Sequence, residues 1–323
     1  MKDKVPLVSI LIPAYNASRY LAETIQSVMN QTFSAWEMII VDDGSQDDTY
    51  SIAREFAGRD SRIQAVAQPN AGASAARNHA FRLSKGQWVK YMDADDLLNP
   101  DSLAAQVDLA NQFPDCIISG KWGRFYRDDL QTFRLSSESV WRDMPGVDWI
   151  VESWSKGPNM TQPGIFLIPR NLVEKFGGWD ESLSLVDDRE FFTRIILQSP
   201  FIKFCPDSVL YYRSGLGGSL SKTRGEKAMA SAWKATDLSA NYLLQARKDA
   251  KARRACAVQY QAFAYTAYPG FPELTDKAEA RVRELGGADY PLPGGFLLKA
   301  LTTLIGWKKA KKLKLAIHRL LSS

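Results

Sequence analysis

A chain of 323 residues, 45% hydrophobic and 24% charged, has the size and composition of one large globular domain or a main domain with an appendage. Its only histidines are His79 and His318, and Cys116, Cys205 and Cys256 lie far apart. That all but excludes a histidine metal site, a serine triad and a disulfide framework, and it suits a reducing compartment.

The net charge of +5 is uneven: 22 basic stand against 28 acidic residues up to Ser221, then 19 against 8 from Lys222 onward. The two parts are expected to do different jobs. Met1 to Pro6 does not read as a secretory signal. No apolar run approaches the roughly 18 residues of a membrane-spanning helix.

The first half alternates β-branched runs with amphipathic stretches. Residues 8–12 read as a buried strand stopped by Pro13, and Leu21, Ile25, Val28 and Met29 recur at helical spacing behind Ser18 as a candidate N-cap. Residues 38–41 form the next strand, followed by Asp42-Asp43-Gly44-Ser45 and a helix carrying Ile52 and Phe56. A weaker strand at 63–66, a helix at 73–83 and a strand at 88–92 follow.

This alternation predicts right-handed crossovers and a largely parallel sheet covered on both faces. After Asn99-Pro100 another helix and strand end near Gly120, and residues 121–163 read as Trp-rich and irregular. A strand at 165–168, helices at 172–176 and 188–197 and a strand at 209–213 complete this part. From Gly225 the pattern changes to Ala/Lys/Arg-rich helices, with a Pro/Gly linker near 291–295. The expected division is 1–221 (a donor-binding part to about 100, an acceptor and base part to 221), 222–290, and 291–323 as linker and basic helix.

Ligands of such sheets bind beyond the carboxyl ends of the strands, where Asp42, Asp43, Asp93, Asp95 and Asp96 fall. Alternate residues of an extended segment share a face, so Asp93 and Asp95 can converge on one ligand. Their hard oxygens suit Mg²⁺ or Mn²⁺ completed by substrate phosphates. A solvated acidic turn explains the same residues about as well. Asp42 and Asp43 can accept hydrogen bonds from a nucleoside, or simply form an Asp-Gly turn. Gly72 and the alanines after it allow close backbone approach, and Arg77 can neutralise phosphate, although close helix–sheet packing accounts for the alanines too. His79 reads as structural. Asp187 and Asp188 begin a helix, where the macrodipole alone favours acids, or where one carboxylate serves as a general base.

Taken in order, Val8-Ser-Ile-Leu-Ile-Pro-Ala-Tyr-Asn16, Ile40-Val-Asp-Asp-Gly-Ser45, Asn70-Ala-Gly72 with Ala76-Arg-Asn78, Tyr91-Met-Asp-Ala-Asp-Asp-Leu97, Phe176-Gly-Gly-Trp-Asp-Glu181 and Asp187-Asp188 resemble the family 2 glycosyltransferases over roughly residues 5–221. The resemblance implies the GT-A (nucleotide-diphospho-sugar transferase) fold, a mostly parallel central sheet with helices on both faces, here with a helical C-terminal extension. It implies an inverting transfer from a nucleotide sugar, a UDP-sugar foremost, to a glycan or lipid-linked acceptor.

It places Pro13, Tyr15, Asp42 and Asp43 around the nucleoside, Asp93 at the ribose and Asp95 on the metal with Asp96 assisting. Asp188 corresponds to the base, with Asp187 replacing the usual preceding glutamate. Gly72, Arg77 and Arg213 join the donor site. Many relatives place a histidine after Tyr-x-Arg in a loop that closes on the diphosphate. Here Ser214-Gly-Leu-Gly-Gly-Ser219 has none, and Arg213, Ser219, Ser221 or Lys222 is expected in its place. Two rival readings are a nucleotidyltransferase, against which Pro13-Ala-Tyr-Asn16 counts, and a non-catalytic sugar-binding module.

Near the end, Leu297, Leu301, Leu304 and Ile305, then Leu313, Ile317, Leu320 and Leu321, keep helical spacing around Lys308, Lys309, Lys311, Lys312 and Lys314. This suits a helix lying on an anionic membrane surface, at the inner face of the cytoplasmic membrane for an otherwise cytoplasmic protein. Packing on the catalytic domain with a solvated lysine face is the alternative. No nucleic-acid recognition motif is present.

Overall fold

A computed structural model of the chain describes residues 7–135, 137–157, 161–215 and 225–322. The expected closing-loop residues Ser219, Ser221 and Lys222 lie outside them.

Strands β1 (Val8–Ala14), β2 (Trp36–Asp42), β3 (Ile63–Ala67) and β4 (Trp88–Tyr91) are mutually parallel in the order β3-β2-β1-β4, and β9 (Ile168–Pro169) joins antiparallel at the β4 edge. The apolar runs of β1, β2 and β4 are buried on both faces, as a parallel sheet between helix layers requires. The order reverses at β1, with β2 on one side and β4 on the other. The crevice between the β1 and β4 carboxyl ends is therefore the topological switch point.

Helices α1 (Leu21–Met29), α2 (Thr49–Arg59) and α3 (Ala73–Leu83) make the crossovers. Ser18 does not cap α1; its N–H donates to Asp47 Oδ2 (3.1 Å) instead, part of a lacing that ties the loop after β1 to the loop after β2.

A second sheet has the order β5 (Leu97–Leu98), β10 (Phe201–Ser214), β6 (Ile117–Tyr126), β7 (Asp129–Leu135), and β8 (Met144–Pro145) pairs with β10. Helix α4 (Ser102–Gln112) precedes β6. The stretch read as irregular is thus ordered: β6 runs on through Trp122 to Tyr126, turns through Arg127 and Asp128 (φ +57° and +55°) into β7, and α5 (Gly146–Trp154) follows. Its tryptophans obscured the strand period, because Trp122 is a core residue of β6 while Trp149 and Trp154 are core residues of α5. Similarly β10 begins at Phe201, eight residues before the expected strand, and a register shift between Cys205 and Val209 breaks its apparent period.

Helices α6 (Arg170–Phe176) and α7 (Asp187–Ile196) lie between β9 and β10. Beyond β10, α8 (Glu226–Ala246), α9 (Ala250–Ala267) and α10 (Pro272–Glu284) form the helical extension. It braces the segment leading into α7. Ser231 Oγ accepts the N–H groups of Ser184 (2.8 Å) and Leu185 (3.1 Å), and the Tyr242 hydroxyl donates to Glu190 Oε1 (3.2 Å). The tail is two helices, α11 (Phe296–Ile305) and α12 (Trp307–Ser322), broken at Gly306, where one was expected.

An amino group is buried beneath the parallel sheet. Lys90 of β4 is fully buried, with Nζ donating to Gln106 Oε1 at 2.9 Å. Burial lowers its pKa from 10.5 to about 7. Above about pH 7 the unfolded chain then binds more protons at this residue than the folded one, so stability rises with pH. Denaturant titrations between about pH 7 and pH 9 are expected to show a rise approaching ~1.4 kcal/mol per pH unit that Lys90→Met abolishes. A rise of the same slope in the variant would assign it to another group.

Candidate active site

The switch-point crevice is walled by the loops after β1, β2 and β4 and by the N-terminus of α7. After β1, Tyr15 is half exposed, and Asn16 adopts φ +48° with its Oδ1 accepting the Gln46 N–H (2.8 Å). Pro13 is the penultimate residue of β1, paired with Val41. Both stand at the crevice rim, where a planar base can stack on Tyr15.

The two aspartates after β2 divide. Asp43 is buried and already satisfied: Oδ1 accepts from Gln68 Nε2 (2.8 Å) and the Ala71 N–H (2.9 Å), Oδ2 from the Gly72 N–H (2.8 Å). These bonds shape the loop before α3. Asp42 differs, because among the described residues Oδ2 accepts only the Ser45 N–H (3.2 Å) and the buried Oδ1 has no partner. Buried acceptors are rarely left so, and a ligand N–H or O–H would complete it. Gly72 holds φ +93°, a conformation open to glycine, and a Cβ there would meet nothing within 4 Å. Its N–H is taken by Asp43, so it offers a ligand room and not a donor.

Arg77, expected to neutralise phosphate or fix the donor's position, is engaged by partners within the protein. The side chain is buried over the Trp179 ring (4.2 Å), with Nη2 on Asp93 Oδ1 (2.9 Å) and Nη1 on Asp187 Oδ2 (3.0 Å), while Ser74 Oγ donates to the same Asp187 oxygen (2.9 Å). Burial alone would lower the guanidinium pKa, but Asp187 and Asp93 hold it above the ordinary value. Arg77 therefore clamps the end of β4 to the start of α7.

Beneath it, Trp179 stacks on Phe191 (4.3 Å, 5°) and meets Tyr91 edge-on (5.2 Å). Asn78 brackets Trp179, with Oδ1 accepting its N–H (2.8 Å) and Nδ2 donating to its carbonyl (2.9 Å). A Cβ on Gly178 would lie 2.3 Å from Asn78 Oδ1, which explains the second glycine of the Gly-Gly-Trp turn.

Of the acids after β4, Asp95 is partly buried, and among the described residues no ion pair holds its side chain. Burial, and then the charge of Asp93, push its pKa up to about 6. Asp96 is fully buried; Oδ1 accepts the Arg213 N–H (3.2 Å), and burial with Asp95 and Asp93 raises its pKa well above the usual range. Its Oδ1 anchors β10, while the buried Oδ2 has no partner among the described residues.

Arg213 is likewise committed. Nε donates to the Asp95 carbonyl (3.0 Å), Nη1 to Asp128 (2.7 Å) and Nη2 to Glu23 (2.6 Å), with the guanidinium between Tyr20 and Phe125. Three of its five N–H groups are thus held by protein acceptors, and the side chain is almost fully buried. Glu23 and Asp128 carried no local signal, since each is a surface acid in its own segment.

Among the described residues no three His, Cys, Asp or Glu side chains gather as a metal site. The crowded carboxylates of Asp93 and Asp95 nevertheless fit a hard divalent cation whose remaining ligands are phosphate oxygens and water, because a cation would relieve the repulsion that raises Asp95.

At α7, Val186 precedes the acids with φ +64°, a conformation that a β-branched residue rarely adopts and that marks functional strain. Asp187 is held by Arg77 and Ser74. Asp188 is partly buried, and its one hydrogen bond is from the Arg189 N–H (2.8 Å); burial and then Asp187 push its pKa up to about 6. Asp188 is the carboxylate left free to exchange a proton.

This architecture is the GT-A fold. The neighbouring crystal structure of S. aureus TarS 1-349 in complex with UDP-GlcNAc superposes with a TM-score of 0.66 at 17% identity, over 86% of this chain and 81% of that one. A family model described as Glycosyl transferase family 2 matches residues 9–176, and the chain belongs to that family. Relatives include the chondroitin synthase of Escherichia coli (43% identical over 105 residues) and the putative teichuronic acid biosynthesis glycosyltransferase TuaG of Bacillus subtilis (42% over 109 residues). The matches take in 32% and 33% of this chain and only 15% and 43% of those proteins.

Removing the clamp leaves two carboxylates without their cation. Arg77→Met is expected to cost about 3–5 kcal/mol in urea unfolding, the range for breaking a buried pair. A loss below about 1 kcal/mol would show that the clamp is not formed in solution.

Proposed function

We propose that the protein moves a sugar from a UDP-sugar to an acceptor hydroxyl, with inversion at the anomeric carbon, in the synthesis of a polysaccharide or cell-surface glycan. The observation that carries this reading is Asp188: a half-buried carboxylate raised to about 6, set by the Arg77 clamp beside the strand end that bears Asp93 and Asp95. The UDP-GlcNAc complex of TarS and the polysaccharide products in the relatives' names support the donor and product classes.

In this reading the unpaired Oδ1 of Asp42 receives a hydrogen bond from the nucleoside, Tyr15 stacks on the base, and Asp93 faces the ribose. Asp95 would hold Mg²⁺ or Mn²⁺ with the donor's phosphates, where a divalent cation would supply positive charge against the diphosphate. Asp188 takes the acceptor O–H proton as that oxygen bonds to the anomeric carbon from the face opposite the diphosphate. The carbon–oxygen bond to the β-phosphate breaks with its electron pair leaving on UDP. A pKa near 6 leaves Asp188 ionised at neutral pH yet more basic than an ordinary carboxylate. Proximity in such a site can supply on the order of 7–11 kcal/mol of barrier reduction.

Calorimetric titration with UDP is expected to show binding with Mn²⁺ that EDTA removes, and Asp95→Ala is expected to lose the metal-dependent part. Equal UDP affinity in that variant with Mn²⁺ present would sink the assignment. Asp188→Asn is expected to keep UDP binding while UDP release from UDP-sugars with glycan acceptors falls about 10²–10⁴-fold. In the wild type that rate is expected to fall as pH drops through about 6, because the protonated carboxyl cannot accept the acceptor's proton. Normal turnover by Asp188→Asn would place the base elsewhere.

A further inference from the structure

The tail presents apolar side chains to solvent in a way the rest of the described molecule does not. Phe296, Leu297 and Leu304 are 84%, 78% and 79% exposed, and Ile305, Leu313 and Ile317 are 41%, 43% and 48% exposed. Positions 296, 297, 300 and 304 share one side of α11. On α12 the exposed Lys309, Leu313, Ala316 and Ile317 share another such face.

The opposite face of α12 is docked. Trp307 packs edge-on against Tyr265 (4.9 Å) and Tyr268 (5.2 Å), Ala310 is buried, and Lys308 Nζ meets Glu279 (2.8 Å). Lys311 Nζ donates to the carbonyls of Tyr265 and Tyr268. The helix is therefore held in place by the protein while its apolar outer face stays uncovered among the described residues. No acidic residue follows Asp289, whereas Lys299, Lys308, Lys309, Lys311, Lys312, Lys314 and Arg319 do. No helix of the described chain is long and apolar enough to cross a membrane.

We propose that α11 and the outer face of α12 dock onto an anionic lipid bilayer surface. The exposed Phe, Leu and Ile side chains enter the headgroup–acyl boundary, and Lys309 and Lys312 face the lipid phosphates. Apolar exposure alone would fit a protein partner as well; the run of lysines without a single acid selects a negatively charged, laterally extended surface. This inference goes beyond the transferase reading and does not rest on it.

The test is co-sedimentation of the full chain with phosphatidylcholine vesicles and with vesicles in which phosphatidylglycerol replaces part of that lipid, at low and high salt. Binding to the anionic vesicles is expected, weakening roughly tenfold or more with Lys309→Glu/Lys312→Glu, with Leu297→Glu/Leu304→Glu, and with raised salt. These four positions are exposed, so both variants are expected to keep the wild-type circular dichroism and UDP binding. Failure to bind anionic vesicles, or equal binding by wild type and both variants, overturns the proposal. So does light scattering that shows a dimer dissociated by Leu297→Glu/Leu304→Glu without vesicle binding. UDP titration of the same samples reports separately on the donor site.

Discussion

The site depends on one buried guanidinium. Arg77 joins Asp93, at the end of β4, to Asp187, at the start of α7, over the ring of Trp179. Each carboxylate alone would be expensive to bury, and the shared cation makes both tolerable in one place. Because Asp187 is consumed in that clamp, its neighbour Asp188 is left with a single backbone hydrogen bond and a pKa near 6. The same interaction that holds two halves of the domain together thus distinguishes an ionic strut from a candidate base in adjacent residues.

A second cation does comparable work on the other wall. Arg213 reaches from β10 to the carbonyl of Asp95, to Asp128 in the β6–β7 turn and to Glu23 on α1. The segment bearing Asp95 is therefore fixed through its backbone while its carboxylate stays clear. With Arg77 on Asp93 and Arg213 on the Asp95 carbonyl, neither arginine neutralises the Asp95 carboxylate directly. The helical extension contributes at one remove, through Ser231 and Tyr242, by bracing the strained turn at Val186 and the helix it begins.

Much of the frame was legible in the chain. The apolar runs of β1, β2 and β4 end at acids because strands buried on both faces have no polar positions until they leave the sheet. The period failed at β6 and β10, where tryptophans of several elements and a register shift hid the two-residue alternation. Among the site residues, Asp42, Asp95 and Asp188 stand where strand ends and a helix start placed them. Asp43 in a loop, Arg77 on α3 and Arg213 on β10 each engage protein partners.

The sequence by itself determined the parallel sheet, the acids at its carboxyl edge, the membership in a family and the basic amphipathic tail, since each is recorded in local spacing or a contiguous motif. Only the tertiary structure decided which charges pair. Arg77 and Asp187 are 110 residues apart, and Arg213 and Glu23 are 190 apart. Periodicity registers whether a side chain is buried but not what it meets there. Those meetings follow from the strand order at the switch point, and they divide the acids and arginines into ones that hold the crevice and ones that face it.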